Sequence, residues 1–406
     1  MTVSANAQTV IDSLWTVKTK IENAEVFDEN KYSETVNSLI YCYNQQSDFY
    51  IAQQVIKNGI NVLLQRGSSD NTLYWRTLNA YSGLIDYNLK NYNSAIEKFK
   101  ETISMCENAD DVSDEYFVLF MNLSNCYAAK GNYLEMKNCM DTAVKKYEQN
   151  YGSIFQIRDE RFFLLLNNYG YANHCLKNYK LAEQCYKYVI DNCQGTFESN
   201  NALPLALNNY AMLLAAQFRY NDAFTLLARA KTMNTEYAYI FAQNFTTIFF
   251  AKCNRKRANE ALQLFNGFAI DNTARIFSDF PKSERENYWT TISWEILILN
   301  NLVTYFDQKP EELKNAYNMS LFCRNLLLNS DDIIEKYIKN SVDDVLKSDY
   351  YELKNLKQKF IFNADSSLKS KIEQYEESVI HRISNLSDLL KNNTKTWEDE
   401  IGRAHV

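Results

Sequence analysis

A spaced set of residues recurs six times between positions 49 and 268 and constrains the fold more than any other feature. In most copies a large aromatic residue stands first and an alanine stands three positions later. Further apolar or small residues follow the first position by seven and by ten. Offsets of 0, 3, 7 and 10 share one face of an α-helix, so each copy predicts an amphipathic helix. The first positions are Phe49, Tyr92, Tyr133, Tyr179, Tyr220 and Ala258.

A second apolar pattern, ten and thirteen residues before each first position, predicts another helix upstream. The position nine residues before is often small, which lets two helices cross closely; examples are Gly83, Ser124, Gly170 and Ala211. Short polar turns such as 131–132 separate the two patterns, and Gly and Asn tolerate the left-handed conformation that ends a helix. Each copy therefore predicts a helical hairpin that completes its core by stacking on its neighbours.

Composition agrees with a chain made of long helices. Only 9 Gly and 3 Pro occur among 406 residues, and a fold rich in turns needs many of both. The formal net charge of -7 is opposite in sign to the basic field that binds a phosphate backbone. We therefore expect no nucleic-acid partner, and no apolar stretch is long enough for a membrane span.

The residues that usually carry catalysis are scarce or badly placed. There are 9 Cys but no CxxC, and only 3 His, so we expect neither a metal nor a cofactor. His174 and Cys175 are adjacent, but neighbours on a helix point about 100° apart and share a proton poorly. No motif of a nucleotide-binding loop, a metalloprotease or a serine hydrolase occurs. The prediction is a chain that is not an enzyme, with an unrecognised catalytic site as the minor alternative.

The aromatic, alanine and large apolar positions together resemble the tetratricopeptide repeat, in a form of about forty residues. The resemblance covers residues 30–270 and implies an all-α, right-handed α-solenoid of about six helix hairpins. It departs in the last copy, which lacks the aromatic residue, and in the turns. There the usual glycine is replaced by Lys90, Lys177, Phe218 or Lys256.

In tetratricopeptide arrays the first helix of each hairpin lines the concave face, which binds polypeptides. Eleven residues before the first position, three successive copies carry Asn122, Asn168 and Asn209. An asparagine amide pairs with both polar groups of a peptide unit, so this column would hold an extended segment by its backbone. Specificity would come from neighbours: Asn125, Tyr171 and Met212. The alternative is an asparagine-rich helix surface without a role. We expect Asn168→Ala to weaken binding with little effect on stability.

Helical patterning continues through residues 271–392 without the repeat. Pro281 and Pro310 mark helix starts, and the run 330–332 (Ser-Asp-Asp) predicts a further N-cap. A last amphipathic helix is predicted over 367–391.

Three segments of this extension resemble the region that joins tetratricopeptide arrays to a CHAT domain, a caspase-like protease module of bacteria. They are Ser283-Glu284-Arg285-Glu286 with Tyr288-Trp289, Leu326-Leu327-Leu328-Asn329-Ser330, and Thr396-Trp397. The resemblance implies that residues 393–400 begin a downstream protease domain missing from this chain. Neither the catalytic His nor the catalytic Cys segment of that family has a counterpart here.

Both termini carry unusual signals. Residues 1–29 predict an N-terminal helix in which Ala5-Asn6-Ala7 matches the end of a secretory signal peptide. We predict a cytoplasmic protein; the alternative is an exported one whose upstream signal peptide was lost before Ala7. Residues 401–406, Ile-Gly-Arg-Ala-His-Val, are one reading frame of a common sequencing adapter, and we predict that they are an artefact.

The sequence therefore predicts a scaffold or sensor arm that binds a polypeptide in its concave groove and regulates a CHAT protease domain. The partner is a separate polypeptide or the protein's own missing C-terminal domain. The alternative function is a stand-alone structural or self-associating adaptor.

Overall fold

The computed structural model describes residues 2–46, 48–67, 73–109, 111, 113–159, 162–193, 202–233, 238–306, 309–363, 367–383 and 386–392. These residues are mostly helical, and no strand occurs among them. The predicted all-α fold of tetratricopeptide-like helical hairpins is confirmed. The contacts between Cα atoms divide the chain into two compact units, which we call the N-terminal unit (residues 1–234) and the C-terminal unit (residues 235–406).

The N-terminal unit is a row of hairpins. The second helix of each hairpin packs against the first, and the first helices α2, α4, α6, α8 and α10 also pack against one another in sequence. Its helices are α1 (Thr2–Glu22), α2 (Glu29–Gln45), α3 (Phe49–Gln65), α4 (Leu73–Asn88), α5 (Tyr92–Asn108), α6 (Asp114–Ala129), α7 (Tyr133–Tyr151), α8 (Phe163–Cys175), α9 (Tyr179–Asn192), α10 (Ala202–Ala216) and α11 (Tyr220–Met233).

The predicted repeat face is the buried face of each second helix. In α5 it consists of Ala95, Phe99 and Thr102, none of which is more than 1 % exposed. Burying one such aromatic side chain stabilises the fold by about 1.5–3 kcal/mol. The aromatic first residue has a different role, because it lies over the turn before its own helix. Tyr92, for example, packs with its ring centroid 5.6 Å from that of Tyr87.

The small residue on the first helix is required by close packing. A Cβ atom added at Gly83 would lie 2.9 Å from the ring of Phe99, and one added at Gly170 would lie 2.9 Å from both Cys185 and Tyr186. These separations are shorter than van der Waals contact, so a larger residue would push the two helices of the hairpin apart. The prediction from the small column is confirmed at these two positions.

Five of the six turns inside the hairpins, those after α4, α6, α8, α10 and α12, share one geometry. A residue with positive φ ends each of five first helices; these residues are Lys90, Gly131, Lys177, Phe218 and Cys253. Two backbone hydrogen bonds close each turn. In the first, Lys90 N donates to Tyr87 O at 3.0 Å and Asn91 N donates to Asp86 O at 2.8 Å. This is a Schellman motif, in which glycine avoids the strain that a side chain brings.

The turn geometry corrects the register of the sixth copy by three residues. The left-handed residue is Cys253 and not Lys256, and the second helix, α13, begins at Arg255. The first position of this copy is therefore Arg255, 35 residues after Tyr220. The buried positions at offsets 3, 7 and 10 become Ala258, Leu262 and Phe265. The prediction placed Ala258 first because Ala258 and Ala261 are both small and no aromatic residue marks the start.

The C-terminal unit contains that sixth hairpin and longer helices. Within it, neighbouring helices pack as α12–α13, α13–α14, α14–α15, α15–α16 and α16–α17, and α18 returns to α13. Its helices are α12 (Ala238–Ala251), α13 (Arg255–Asp279), α14 (Lys282–Phe306), α15 (Pro310–Asn340), α16 (Asp344–Asn363), α17 (Ser367–His381) and α18 (Leu386–Asn392).

A closed amide pair joins α13 to α14 in the core of the C-terminal unit. Asn266 and Asn300 are 3 % and 2 % exposed. Each side-chain Nδ2 donates to the Oδ1 of the other at 2.9 Å, and Asn300 Nδ2 also donates to Ile296 O at 2.8 Å. Two buried amides thus satisfy one another, which removes most of the cost of taking them from water.

The expected N-cap at 330–332 is wrong, because α15 runs without interruption from Pro310 to Asn340. Asp331 does not cap a helix but lies 2.9 Å from Lys282 Nζ and 3.3 Å from the nearly buried Arg285 Nη2, both on α14. Partial loss of water around the Asp331 carboxylate raises its pKa, but these two cations outweigh that effect and hold the pKa below its ordinary value. The expected helix starts at Pro281 and Pro310 are confirmed, since α14 begins at residue 282 and α15 at Pro310.

The single helix predicted over 367–391 is two helices, α17 and α18. The apolar spacing continues across the break, so periodicity alone did not reveal it. The physical reason is a change of partner: α17 packs chiefly against α16, whereas α18 packs against α13. Val379 and Ile383 before the break and Leu386 and Leu390 after it are all buried.

Candidate functional site

The predicted asparagine column lies on three successive first helices, α6, α8 and α10. Asn168 on α8 is 8 % exposed, whereas Asn122 on α6 and Asn209 on α10 are half-buried. Since α6 packs against α8 and α8 against α10, the three residues occur along adjacent elements of one unit.

Hydrogen bonds join two members of the column through residues that the sequence analysis did not single out. Asn208 Nδ2 donates to Asn209 Oδ1 at 3.2 Å, and Asn209 Nδ2 donates to Asn167 Oδ1 at 3.1 Å. Asn167 Nδ2 then donates to Asn168 Oδ1 at 3.0 Å. We call these four residues the amide chain. It crosses from α10 to α8 and fixes the orientation of each side chain in it.

The amide chain leaves hydrogen-bonding capacity at its α8 end. Among the described residues, Asn168 Nδ2 has no acceptor. The side chains of Asn122 and Asn125 make no hydrogen bond within the described part of the chain. An amide has two donor hydrogens and an acceptor oxygen, so these groups have donors and acceptors to offer a ligand.

The two apolar neighbours of the column differ in their surroundings. Met212 is half-buried on α10 and has a flexible side chain suited to an adaptable contact. Tyr171 is half-buried on α8, and burial together with the nearby Cys175 thiol raises the pKa of its phenol. Tyr171 is therefore a neutral hydroxyl at neutral pH.

The adjacent His174 and Cys175 do not form a catalytic pair. Burial raises the pKa of the Cys175 thiol, and the neighbour that lowers it is Tyr171, one helical turn earlier, and not His174. His174 Nδ1 is buried without a hydrogen-bond partner among the described residues, and burial lowers the pKa of the imidazole. Its ring packs against Tyr179, with the centroids 6.0 Å apart. This environment is that of a packed neutral imidazole and supports the interpretation from helix geometry.

Five of the nine cysteines are buried thiols, and none of the nine forms a disulfide. Burial raises the pKa of Cys126, Cys185 and Cys323 to about 12. The described residues contain no group of three or more His, Cys, Asp or Glu placed to hold a metal ion. No helix in the described ranges combines the length and the apolar character needed to cross a bilayer.

A cavity of about 190 Å³ lies beside Asn122, among α4, α5 and α6. Apolar side chains form much of its wall, and Arg76 and Asp111 line it as an ion pair at 3.0 Å. Sequence reasoning missed this cavity and the role of Arg76. The available signal was a single arginine within the apolar pattern of α4.

Sequence reasoning also missed half of the amide chain. The signal was present, because Asn167-Asn168 and Asn208-Asn209 are doublets at the same place in successive copies. Only the second residue of each doublet entered the predicted column. Other predictions lie outside the described residues: the Thr396-Trp397 segment, the domain start at 393–400 and the artefact at 401–406.

No family model matches this sequence, and no curated protein matches it. Solved structures with a similar course of chain include BtubC (BKLC) from P. vanneervenii, at 14% identity over 56% of this chain and 90% of that one, with a TM-score of 0.45. A tetratricopeptide repeat protein from Parabacteroides merdae is 12% identical over 71% of this chain and 98% of its own, with a TM-score of 0.37. A Rap protein complexed with competence and sporulation factor is 10% identical over 94% and 100%, with a TM-score of 0.47.

Proposed function

We propose that the N-terminal unit is a polypeptide-binding scaffold. An extended segment of the partner lies across α6, α8 and α10 and pairs its backbone with Asn122, Asn168 and Asn209. Asn125, Tyr171 and Met212 lie beside this path and select among partner side chains. The chain performs no catalysis in this role, since binding alone is its activity.

The amide chain is the observation that carries the proposal. It joins successive first helices and orients Asn168 and Asn209 before any partner arrives. Preorganised polar groups bind more tightly because less conformational freedom is lost on binding. Asn122 adds an amide without an internal hydrogen bond to a described residue, so a partner competes there only with water.

The test uses dodecapeptides selected from a phage-displayed random library on the wild-type chain. We expect a fluorescein-labelled selected peptide to lose affinity about tenfold or more in Asn122→Ala and in Asn209→Ala, since about 1.4 kcal/mol corresponds to tenfold. Fluorescence polarisation measures Kd. The matched control is Asn138→Ala, an exposed asparagine on the second helix α7. Equal Kd values in wild type and both column variants would contradict the proposal, as would an equal loss in Asn138→Ala.

Regulation of a CHAT protease domain is the finer part of the proposed function, and it rests on the resemblance of the segments around 283–289 and 326–330. In the C-terminal unit, Tyr288 and Trp289 of the first segment are buried in the core. Trp289 packs between Phe277 and Phe322, with ring centroids 5.9 and 6.3 Å away. Such a core would transmit strain rigidly to a domain that follows it.

The gene itself tests the regulatory part of the proposal. Reading the source DNA past the codon for Trp397 should reveal a frame that continues into an α/β module with a His and a Cys at strand ends. A stop codon there that is present in independent reads would leave a polypeptide-binding adaptor without a protease.

A further inference from the structure

The cavity beside Asn122 has room for one medium-sized apolar side chain. Its volume is about 190 Å³, and its apolar wall includes Leu73, Leu84, Val118 and Leu119. Leu73 and Val118 are exposed, so the cavity opens at the surface of the N-terminal unit. An apolar cavity of about 150 Å³ holds a benzene molecule, so this one has room for a leucine side chain.

Arg76 lines the cavity and has unused hydrogen-bond donors. Its side chain is 10% exposed, and its Nη2 lies 3.0 Å from Asp111 Oδ2. Nε and Nη1 are buried and have no hydrogen-bond partner among the described residues. Asp111 already balances the positive charge of the Arg76 guanidinium. What the guanidinium lacks is a hydrogen-bond acceptor for Nε and Nη1. A neutral carbonyl oxygen supplies an acceptor without adding negative charge to the cavity.

Glu115 sets the charge that the cavity favours in a ligand. It lines the cavity, is exposed, and makes no ion pair within the described part of the chain. Among the described residues of the lining, the charged ones are Arg76, Asp111 and Glu115, so carboxylates outnumber cations there. The whole chain has the same sign, with a formal net charge of -7. A cation beside Glu115 is therefore attracted, and a further carboxylate is repelled.

We propose that this cavity binds a leucine-sized side chain of a partner polypeptide next to a Lys or Arg of the same partner. The carbonyl oxygen of the apolar residue accepts from Arg76, and the basic side chain lies beside Glu115. The inference rests on the proposed polypeptide-binding function and names the chemistry of the partner: an apolar residue followed or preceded by a basic one. Asn122, which lines the same cavity, connects it to the asparagine column.

The probes are four fluorescein-labelled decapeptides in a Gly-Ser background. Three are amidated at the C-terminus and carry a central Leu-Lys, Leu-Glu or Ala-Lys. The fourth ends in Leu with a free carboxylate. Fluorescence polarisation with protein up to about 1 mM, the weak end of specific binding, gives each Kd. We expect Leu-Lys to bind at least tenfold more tightly than each of the other three.

Two variants locate the binding. Ala80→Phe fills the cavity and should weaken binding of the Leu-Lys peptide at least tenfold, whereas Ala129→Phe, at an exposed position outside the lining, should leave it unchanged. Glu115→Lys alters only an exposed side chain and should reverse the preference between Leu-Lys and Leu-Glu.

The inference is overturned by tighter binding of the free-carboxylate or Leu-Glu peptide, by binding that Ala80→Phe does not change, or by absence of binding for all four probes. Asn209→Ala distinguishes failure of the cavity inference from failure of the proposed binding function. If the asparagine column has no role but the cavity does, Asn209→Ala leaves the Leu-Lys affinity intact while Ala80→Phe removes it. If the cavity has no role, the library-selected peptides respond to Asn209→Ala and ignore Ala80→Phe.

Discussion

The two units contain asparagine networks of opposite kinds. In the C-terminal unit, Asn266 and Asn300 form a reciprocal pair in which each Nδ2 donates to the other Oδ1 at 2.9 Å. In the N-terminal unit, the amide chain runs in one direction and leaves Asn168 Nδ2 without a described acceptor. A closed pair has a structural role, because its capacity is used within the core. An open chain retains capacity for a molecule outside the fold.

The turns show the same contrast. Four hairpins of the N-terminal unit turn through left-handed residues, three of which are not glycine. Later junctions of the C-terminal unit use extended residues instead: Phe280 before Pro281, and Ser341 before Asp343. There Asp343 Oδ1 accepts from Leu346 N at 3.0 Å and caps α16. The repeated hairpins thus keep a strained left-handed turn, whereas the non-repeating helices of the C-terminal unit end in extended residues without that strain.

The largest effect is expected from opening the closed pair. Asn266→Leu leaves Asn300 Oδ1 buried without a donor, and we expect it to lower the free energy of unfolding by about 2–3 kcal/mol. Urea denaturation followed by circular dichroism measures the change. The double variant Asn266→Leu/Asn300→Leu should recover most of the loss, because neither amide is then left unsatisfied. A double variant less stable than the single one would show that the pair stabilises the fold by more than the hydrogen bonds that each amide supplies to the other.

Asn168→Ala should have a smaller effect on stability. Asn167 is 1 % exposed, and the substitution removes the acceptor of its Nδ2, so we expect a loss of about 1–2 kcal/mol. The burial of Asn168 thus replaces the sequence-based expectation of nearly unchanged stability. Thermal unfolding of Asn168→Ala beside wild type measures it. An unchanged unfolding midpoint would mean that water replaces the lost acceptor. The α8 end of the amide chain would then be more accessible to solvent than the distances indicate.

The strained turns provide the third test. Phe218 has φ of 63° and is 79 % exposed, so Phe218→Gly removes strain and little packing. We expect a gain of about 1 kcal/mol in the free energy of unfolding. Gly131→Ala, at the equivalent turn with φ of 72°, should lose about the same amount. If both variants changed stability in the same direction, the left-handed conformation of the turn residue would not be the cause of the stability changes.

The smallest effect on stability is expected from Asn122→Ala. The side chain is half-buried and makes no hydrogen bond to a described residue, so we expect a change within about 0.5 kcal/mol. Urea denaturation measures this in the same samples used for peptide binding. A loss as large as that of Asn168→Ala would place Asn122 among the structural amides and weaken the contrast between the two units.

The sequence predicted the hairpins because their packing repeats every few tens of residues, and each copy reports on the others. Prediction was weaker in the sixth copy, where Arg255 replaces the aromatic first residue. Without that residue, the neighbouring alanines led to a predicted repeat register that is wrong by three residues. It was also weaker where the cause is tertiary. The break after Ile383 follows from α18 packing against α13, which apolar spacing does not encode.

The candidate site was predictable in outline only. Column spacing identified Asn122, Asn168 and Asn209, but a one-dimensional column does not show which side chains bond each other. Whether Asn167 donates to Asn168 depends on burial and rotamer, both set by packing between helices. The cavity at Arg76 depends on the separation of α4 and α6, which no local pattern specifies.

The turn at Cys253 has a practical consequence. Of the nine cysteines, Cys253 is the exposed one, while the others are half-buried or buried. A maleimide reagent should therefore modify Cys253 first, at the junction of α12 and α13. A fluorophore there would label the native chain at one defined position, without removal of any other thiol.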